Sequence, residues 1–145
     1  SPASLRSAAG IHDNGLVAFE SEALIRESGI DAERVLRYAL VDIDDEDRLR
    51  AIREKPAPDD PLAMRPERWV SMNLWSFTPQ MFEACERVRP SPRGELELQD
   101  AVSIGMRDLG LTFKVVRERA GVLDLSRRAD IESVKRRLAH LVPMP

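Results

Sequence analysis

The sequence predicts an α/β domain in which strands and helices interleave around one sheet, and three observations carry the prediction. From Trp69 onward the patterning runs strand, helix, helix, strand, strand, helix, an order that suits helices layered on a sheet. The chain has 145 residues, one domain's worth, and can enclose a single core. Apolar residues make up 43% and charged ones 32%, and no apolar run approaches the ~18 residues of a bilayer span.

Element by element, residues 1–15 carry Pro, Ser, Gly, Asp and Asn with little periodicity and read as loop. Glu20 to Ser28 predicts a short helix, with Ala23 and Leu24 as its apolar side and Gly29 as its stop. From Val35, alternation of Leu36, Tyr38 and Leu40 with polar or small neighbours predicts a strand continuing through Val41 and Ile43. Asp44 to Asp47 is a turn, and Arg48 to Arg53 returns as the second arm of a hairpin. The prolines at 56, 58 and 61 then force a surface loop to about Arg68.

Trp69 to Phe77 reads as a buried strand. Thr78-Pro79 predicts a helix start, hydroxyl as N-cap and proline at the first turn, with Met81, Phe82, Cys85 and Val88 as the apolar stripe. Glu95 to Leu109 predicts a second helix facing inward through Leu98, Val102, Met106 and Leu109, and Gly110 closes it. Leu111, Phe113 and Val115 alternate as a strand, and Gly121 to Leu125 reads as another. Ser126 can cap a last helix whose stripe is Ile131, Val134, Leu138 and Leu141, ended by Pro143 and Pro145.

Composition excludes several function classes. A net charge of −3 gives no global basic field for nucleic acid. One cysteine, Cys85, cannot form an internal disulfide, fits a reducing compartment and, on an apolar helix stripe, reads as a packed core thiol. No signal peptide is seen in residues 1–15, so the expected location is the cytoplasm. The acidic run from Asp42 to Asp47 fails the calcium-loop pattern, which needs Gly at position six and an acid at twelve where this chain has Asp47 and Arg53. His12 and His140 stand in no zinc-ligand spacing, and neither a phosphate-binding P-loop nor a G-x-S-x-G elbow occurs. Gly10, Asn14 and Gly15 make a turn.

Two places remain as candidates for chemistry. Pro56 stiffens the strand exit behind Glu54-Lys55, holding both side chains at a rim where a lysine suits an anionic group such as phosphate. Asp124 interrupts the apolar Gly121–Leu125 segment just before a helix; it can serve as N-cap or, at a strand's carboxyl end, as a magnesium ligand.

The order of the pieces adds a resemblance. Arg37-Tyr38-Ala39-Leu40-Val41, an acidic turn and Ile52-Arg53-Glu54-Lys55-Pro56 resemble the RYGVV…DEDG…VEKP hairpin of the sugar-1-phosphate nucleotidyltransferases. Asn73 to Pro79 is similar to that family's N-x-G-x-Y-x-F-x-P strand, and Arg93 to Ala101 to its RGE-x-E-x-T-D-A segment. Gly121 to Leu125 takes the place of W-x-D-x-G-T, followed by Asp130-Ile131. The resemblance covers residues 35–141 and implies a Rossmann-like mixed sheet flanked by helices, with residues 1–34 as a poorly defined leading segment.

By the same resemblance, the reaction is attack of a sugar-1-phosphate oxygen on the α-phosphorus of a nucleoside triphosphate, giving an NDP-sugar and pyrophosphate. Glu54 would bind sugar hydroxyls, Lys55 the sugar's phosphate, Asn73 would line the sugar pocket, and Asp124 would be one of two aspartates holding Mg²⁺. Glu97 and Asp100 would serve either the site or helix capping. The family's G-x-G-T-R-L nucleotide loop and first metal aspartate are not found, Ser126-Arg127 replaces G-T, and Val122 replaces its tryptophan. The chain is therefore expected to be the sugar-binding, carboxyl-terminal half with an incomplete sheet, inactive by itself. The alternative is a non-catalytic relative that binds a sugar nucleotide or a protein partner; homo-oligomerisation is left open, and neither nucleic acid nor membrane is expected as a partner.

Overall fold

The computed structural model describes residues 2–139. Helix α1 (Pro2–Ala9) leads into strand β1 (Gly15–Glu20), the short helix α2 (Ser21–Ala23), a π-helical turn (Leu24–Ser28) and α3 (Ala32–Val35). The hairpin β2 (Ala39–Ile43) and β3 (Leu49–Glu54) follows, then β4 (Trp69–Ser76), α4 (Met81–Glu86), α5 (Leu98–Leu109), β5 (Lys114–Glu118), a 3-10 turn (Arg128–Asp130) and α6 (Ile131–Leu138).

The five strands form one mixed sheet in the order β3-β2-β4-β1-β5. β1 runs parallel to β5 and antiparallel to β4, and β2 is antiparallel to both its neighbours. This is the predicted mixed α/β sheet with flanking helices. Leu16, Ala18, Ala39, Val41, Phe113 and Val115 point to the face covered by α4 and α5. Val17, Phe19, Leu40 and Val70 point to the opposite face, where Leu24, Ile30, Val35, Leu62 and Ala63 pack. The alternation of strand residues thus feeds two separate apolar layers.

Several expectations are corrected. Residues 1–34 are not a poorly defined leader where they are described: α1 packs by directing Ser4 and Ser7 onto Glu118 (2.5 and 2.7 Å). β1 lies between β4 and β5 with Leu16 to Phe19 all buried. A strand buried on both faces shows a solid apolar run rather than alternation. The strand expected from Val35 begins at Ala39, because residues 32–35 complete a helical turn whose buried Val35 belongs to the core.

Thr78 does not cap α4; its N–H and hydroxyl both bond the buried Asn14 Oδ1 (2.8 and 3.1 Å), and the helix begins at Met81. Its inward side is Met81 and Ala84, so Phe82 and Cys85 are exposed and the core-thiol reading fails. α5 starts at Leu98, three residues late, and ends as expected at Gly110, whose φ of 65° suits glycine.

Gly121–Leu125 is not a strand. Its N–H groups are taken by side chains, Gly121 donating to Glu27 Oε2 and Val122 to Ser28 Oγ, so no ladder forms. Ser126 caps nothing: its hydroxyl meets Asp124 and Arg34, while Asp130 accepts from the Arg127 N–H. α6 buries none of its residues, and Ile131 and Leu138 are exposed. His140, Leu141, Pro143 and Pro145 lie outside the described residues.

Candidate functional site

The chemistry-bearing residues gather at the end of the sheet where β2 begins and β3 ends. Ala39 pairs with Glu54, and Ala39 packs on the α4/α5 side, so the Glu54 side chain faces that side as well. Lys55 follows with φ 46°, an unfavourable backbone for a residue with a Cβ. Its N–H donates to the Tyr38 carbonyl (3.3 Å), and Pro56 fixes the exit. The sequence signal at Glu54-Lys55-Pro56 therefore corresponds to a real corner, with Lys55 Nζ 3.6 Å from Glu54 Oε1 and 3.9 Å from Glu95 Oε2.

Arg93 completes this first group. It donates to Glu97 Oε1 (2.5 Å) and stands 3.5 Å from Glu95. Glu97, just ahead of α5, also accepts from Ser91 Oγ (3.3 Å), so it supports the loop as well as the rim. Burial pushes the Glu54 carboxyl above its ordinary value; Lys55 and Arg93 pull it back, and Glu97 adds to the rise. Two cations beside a carboxyl of raised proton affinity make a rim suited to a phosphate and to hydroxyl donors.

The second group lies on the opposite face. Tyr38 packs with the residues of that face, and its hydroxyl donates to Asp124 Oδ2 (2.5 Å). The same oxygen accepts from Arg34 Nη2 (2.6 Å) and Ser126 Oγ (2.7 Å). Arg34 also grips Asp130 with both arms, Nη1 to Oδ1 and Nη2 to Oδ2, each at 2.9 Å. Arg34, Asp124 and Asp130 side chains are only 11%, 16% and 12% exposed. Arg34 holds the Asp130 carboxyl well below the usual carboxylate range. Burial, and then the bond to Asp124, push the Tyr38 hydroxyl up to about 12.

Asp124 is thus no helix cap. It does not touch Lys55; Tyr38 links the two groups, through its carbonyl to Lys55 and its hydroxyl to Asp124. Asn73 joins neither group. It is exposed, has φ 57° and sits in an irregular stretch of β4, where Leu16 pairs Trp75 but Ala18 pairs Ser71. Counted back from Phe77-Thr78-Pro79, the N-x-G-x-Y-x-F-x-P pattern sets its glycine at position 73, and asparagine tolerates the same left-handed backbone. Asn73 borders a cavity of about 360 Å³ with Ser4, Leu5, Phe19 and Val122.

Asp100 sits exposed in the first turn of α5. Arg34 and Arg93 were not singled out by residue-type reasoning. Arg93 stands at the head of the RGE-x-E-x-T-D-A segment, whereas Arg34 lies outside every family motif. Whether the Asp124 group suits a metal can be judged from its donors. Among the described residues no group of three or more His, Cys, Asp or Glu could hold a metal ion. Two carboxylates and one hydroxyl do converge on Arg34 Nη2 within 2.9 Å, an all-oxygen set of the kind magnesium takes together with water and phosphate. Here those oxygens are engaged by the Arg34 guanidinium.

Comparison with known proteins gives the following. A family model described as nucleotidyl transferase matches residues 20–137. The chain is 30% identical over 109 residues to a UTP–glucose-1-phosphate uridylyltransferase of Haloferax volcanii, covering 75% of this chain and 42% of that one. It is 32% identical over 78 residues to a low-salt glycan biosynthesis nucleotidyltransferase of the same organism, covering 54% of this chain and 20% of that one. The chain therefore spans less than half the length of these curated relatives. A solved CMP:2-keto-3-deoxy-manno-octonic acid synthetase with bound CTP superposes with a TM-score of 0.52 at 10% identity, over 95% of this chain and 53% of that one, a likeness of fold alone.

Proposed function

The chain belongs to the nucleotidyl transferase family, and from that premise we propose that it forms the sugar-phosphate-binding part of an enzyme making an NDP-sugar and pyrophosphate. The substrates are a nucleoside triphosphate and a sugar-1-phosphate. The observation that carries the reading is the Lys55 corner, a lysine held at a strand exit beside a half-buried glutamate with Arg93 next to it. The uridylyltransferase it resembles acts on glucose-1-phosphate by its name, which supports the same substrate class here.

The residues divide the work. Lys55 and Arg93 bind the sugar's phosphate and offset its charge as it approaches a second anion. Glu54, with its raised proton affinity, accepts hydrogen bonds from sugar hydroxyls. Tyr38 couples the corner to Asp124. Asn73 borders a separate cavity, with Phe19 and Val122, and takes no part in the corner. Asp124, with Asp130 and Ser126 beside it, would hold Mg²⁺, which when bound supplies charge neutralisation of the phosphates. Phosphoryl transfer between two anions depends on this neutralisation and on positioning, and no protein nucleophile is called for.

The test is product formation by the protein in its native length, with a panel of nucleoside triphosphates and sugar-1-phosphates and Mg²⁺. Lys55→Ala is expected to lower kcat/KM on the order of 10²-fold. A second reading, a relative that binds without turnover, has one observation in its favour, the engagement of Asp124 by Arg34. A folded protein that turns over no substrate pair would overturn the enzyme reading and favour the second.

A further inference from the structure

The Lys55 corner holds more carboxylates than cations. Lys55 and Arg93 face Glu54, Glu95 and Glu97, so with every group ionised one negative charge is in excess. A phosphate entering between the two cations is repelled unless one carboxylate moves away. Two of the three are fixed. Glu54 sits on β3 with its side chain 17% exposed. Glu97, 12% exposed, accepts from Arg93 Nη2 (2.5 Å) and Ser91 Oγ (3.3 Å).

Glu95 differs from both. Its side chain is 60% exposed, and a single oxygen, Oε2, lies 3.5 Å from Arg93 Nε and 3.9 Å from Lys55 Nζ. These separations stand at the limit of hydrogen bonding or beyond it, and exposed pairs of this kind hold weakly. The backbone there is secured separately, because the Glu95 carbonyl accepts from the Ser91 N–H (2.8 Å). The carboxylate can therefore turn into solvent while the loop keeps its form. One anionic oxygen shared by both cations also marks where an oxygen of a bound phosphate would stand. We propose that the Glu95 carboxylate is the resident anion of the phosphate subsite, and that a sugar-1-phosphate binds between Lys55 and Arg93 only by displacing it. This rests on the reading of the Lys55 corner as phosphate-binding given above. Glu95 thereby sets the affinity of the corner, competing from within the chain for the same two cations.

Glucose-1-phosphate and inorganic phosphate are the probes, each titrated by isothermal calorimetry into the protein in its native length without nucleotide. Wild type is compared with Glu95→Gln, Glu95→Ala, Lys55→Ala and Glu95→Gln/Lys55→Ala, each checked for folding by near-ultraviolet circular dichroism. Glu132→Gln, an exposed carboxylate of α6, controls for net charge. Glu95→Gln and Glu95→Ala should bind both probes on the order of tenfold more tightly than wild type, Glu132→Gln should match wild type, and the double variant should lose the gain. Unchanged or weaker binding in the Glu95 variants, with binding still lost in Lys55→Ala, would overturn the competition and leave the corner a phosphate site. A gain for inorganic phosphate without one for glucose-1-phosphate would overturn it too, since the vacated place would then admit no sugar. No Lys55-dependent binding of either probe in any variant would overturn the reading of the corner and this inference together.

Discussion

The two halves of the candidate site hang from structures of opposite character. The Lys55 corner continues a hairpin built into the sheet, whose α4/α5 side is closed by apolar packing. Phe113, Val102 and Ala101 are at most 1% exposed there, and Trp75 meets the Phe113 ring edge-on with centroids 6.2 Å apart. Asp124 rides on residues 121–139, where α6 buries nothing. That segment is tied down by polar bonds: the Arg34 fork, Glu27 and Ser28 on the Gly121 and Val122 N–H groups, and Arg137 on the Glu27 carbonyl. Apolar burial has no charge to titrate or to screen, whereas carboxylate–guanidinium bonds have both. One half of the site is therefore rigid under most conditions, and the other is held conditionally.

The largest effect expected of this contrast is on global stability. Phe113→Ala removes the ring that both Trp75 and Phe77 pack against, and should cost about 3–5 kcal/mol in urea denaturation. Leu138→Ala, on the exposed face of α6, should stay within about 0.5 kcal/mol. Similar costs at the two positions would break the comparison, because α6 would then be part of the cooperative core.

A smaller and local effect is expected on acidification. Asp130 has its folded-state pKa depressed by Arg34, so its stabilising contribution is present above the unfolded carboxyl value of ~3.9 and fades as pH falls toward the depressed value. As pH falls below about 4 toward the depressed value, the 121–139 segment should lose stability progressively while β1 remains closed. Native-state hydrogen exchange at neutral pH and near pH 3 reads this directly. The amides of Gly121 and Val122 should lose protection well before those of Leu16 to Phe19. Simultaneous loss in both places would mean that the segment and the sheet open as one unit.

How far the sequence exposed each half follows from the range of the interactions. The hairpin, the β4 strand and the Gly110 stop were legible because turn chemistry and alternation act over a few residues. β1 was missed because an unbroken apolar run does not alternate, although Leu16 to Phe19 is itself the mark of a central strand. Thr78 carried every local sign of a helix cap, yet its partner is Asn14, 64 residues earlier. The Gly121–Leu125 pattern misled for the same reason, since Glu27 and Ser28 reach its N–H groups from 94 residues away. At the site, Glu54 and Lys55 were legible as a tripeptide with a proline behind it. Arg34 was not, because Asp124 and Asp130 lie 90 and 96 residues downstream and no local period connects them.

The finest prediction concerns Tyr38, which joins the two halves and is the chain's single tyrosine. Phenolate absorbance therefore reports on it alone. Burial first, then the bond to the Asp124 carboxylate and that carboxylate's charge, raise its pKa to about 12, against an ordinary value of ~10. Because the folded-state value lies above the unfolded one, Tyr38 contributes stability that is complete below about pH 10 and is lost as pH rises through about 12. The titration midpoint should sit near 12 while far-ultraviolet circular dichroism stays native. Asp124→Asn removes the anionic acceptor and should lower the midpoint, with burial keeping it above the free phenol. A native chain titrating near 10 would place Tyr38 in water and away from Asp124, and the conditionally held half of the site would then not reach the corner where Lys55 stands.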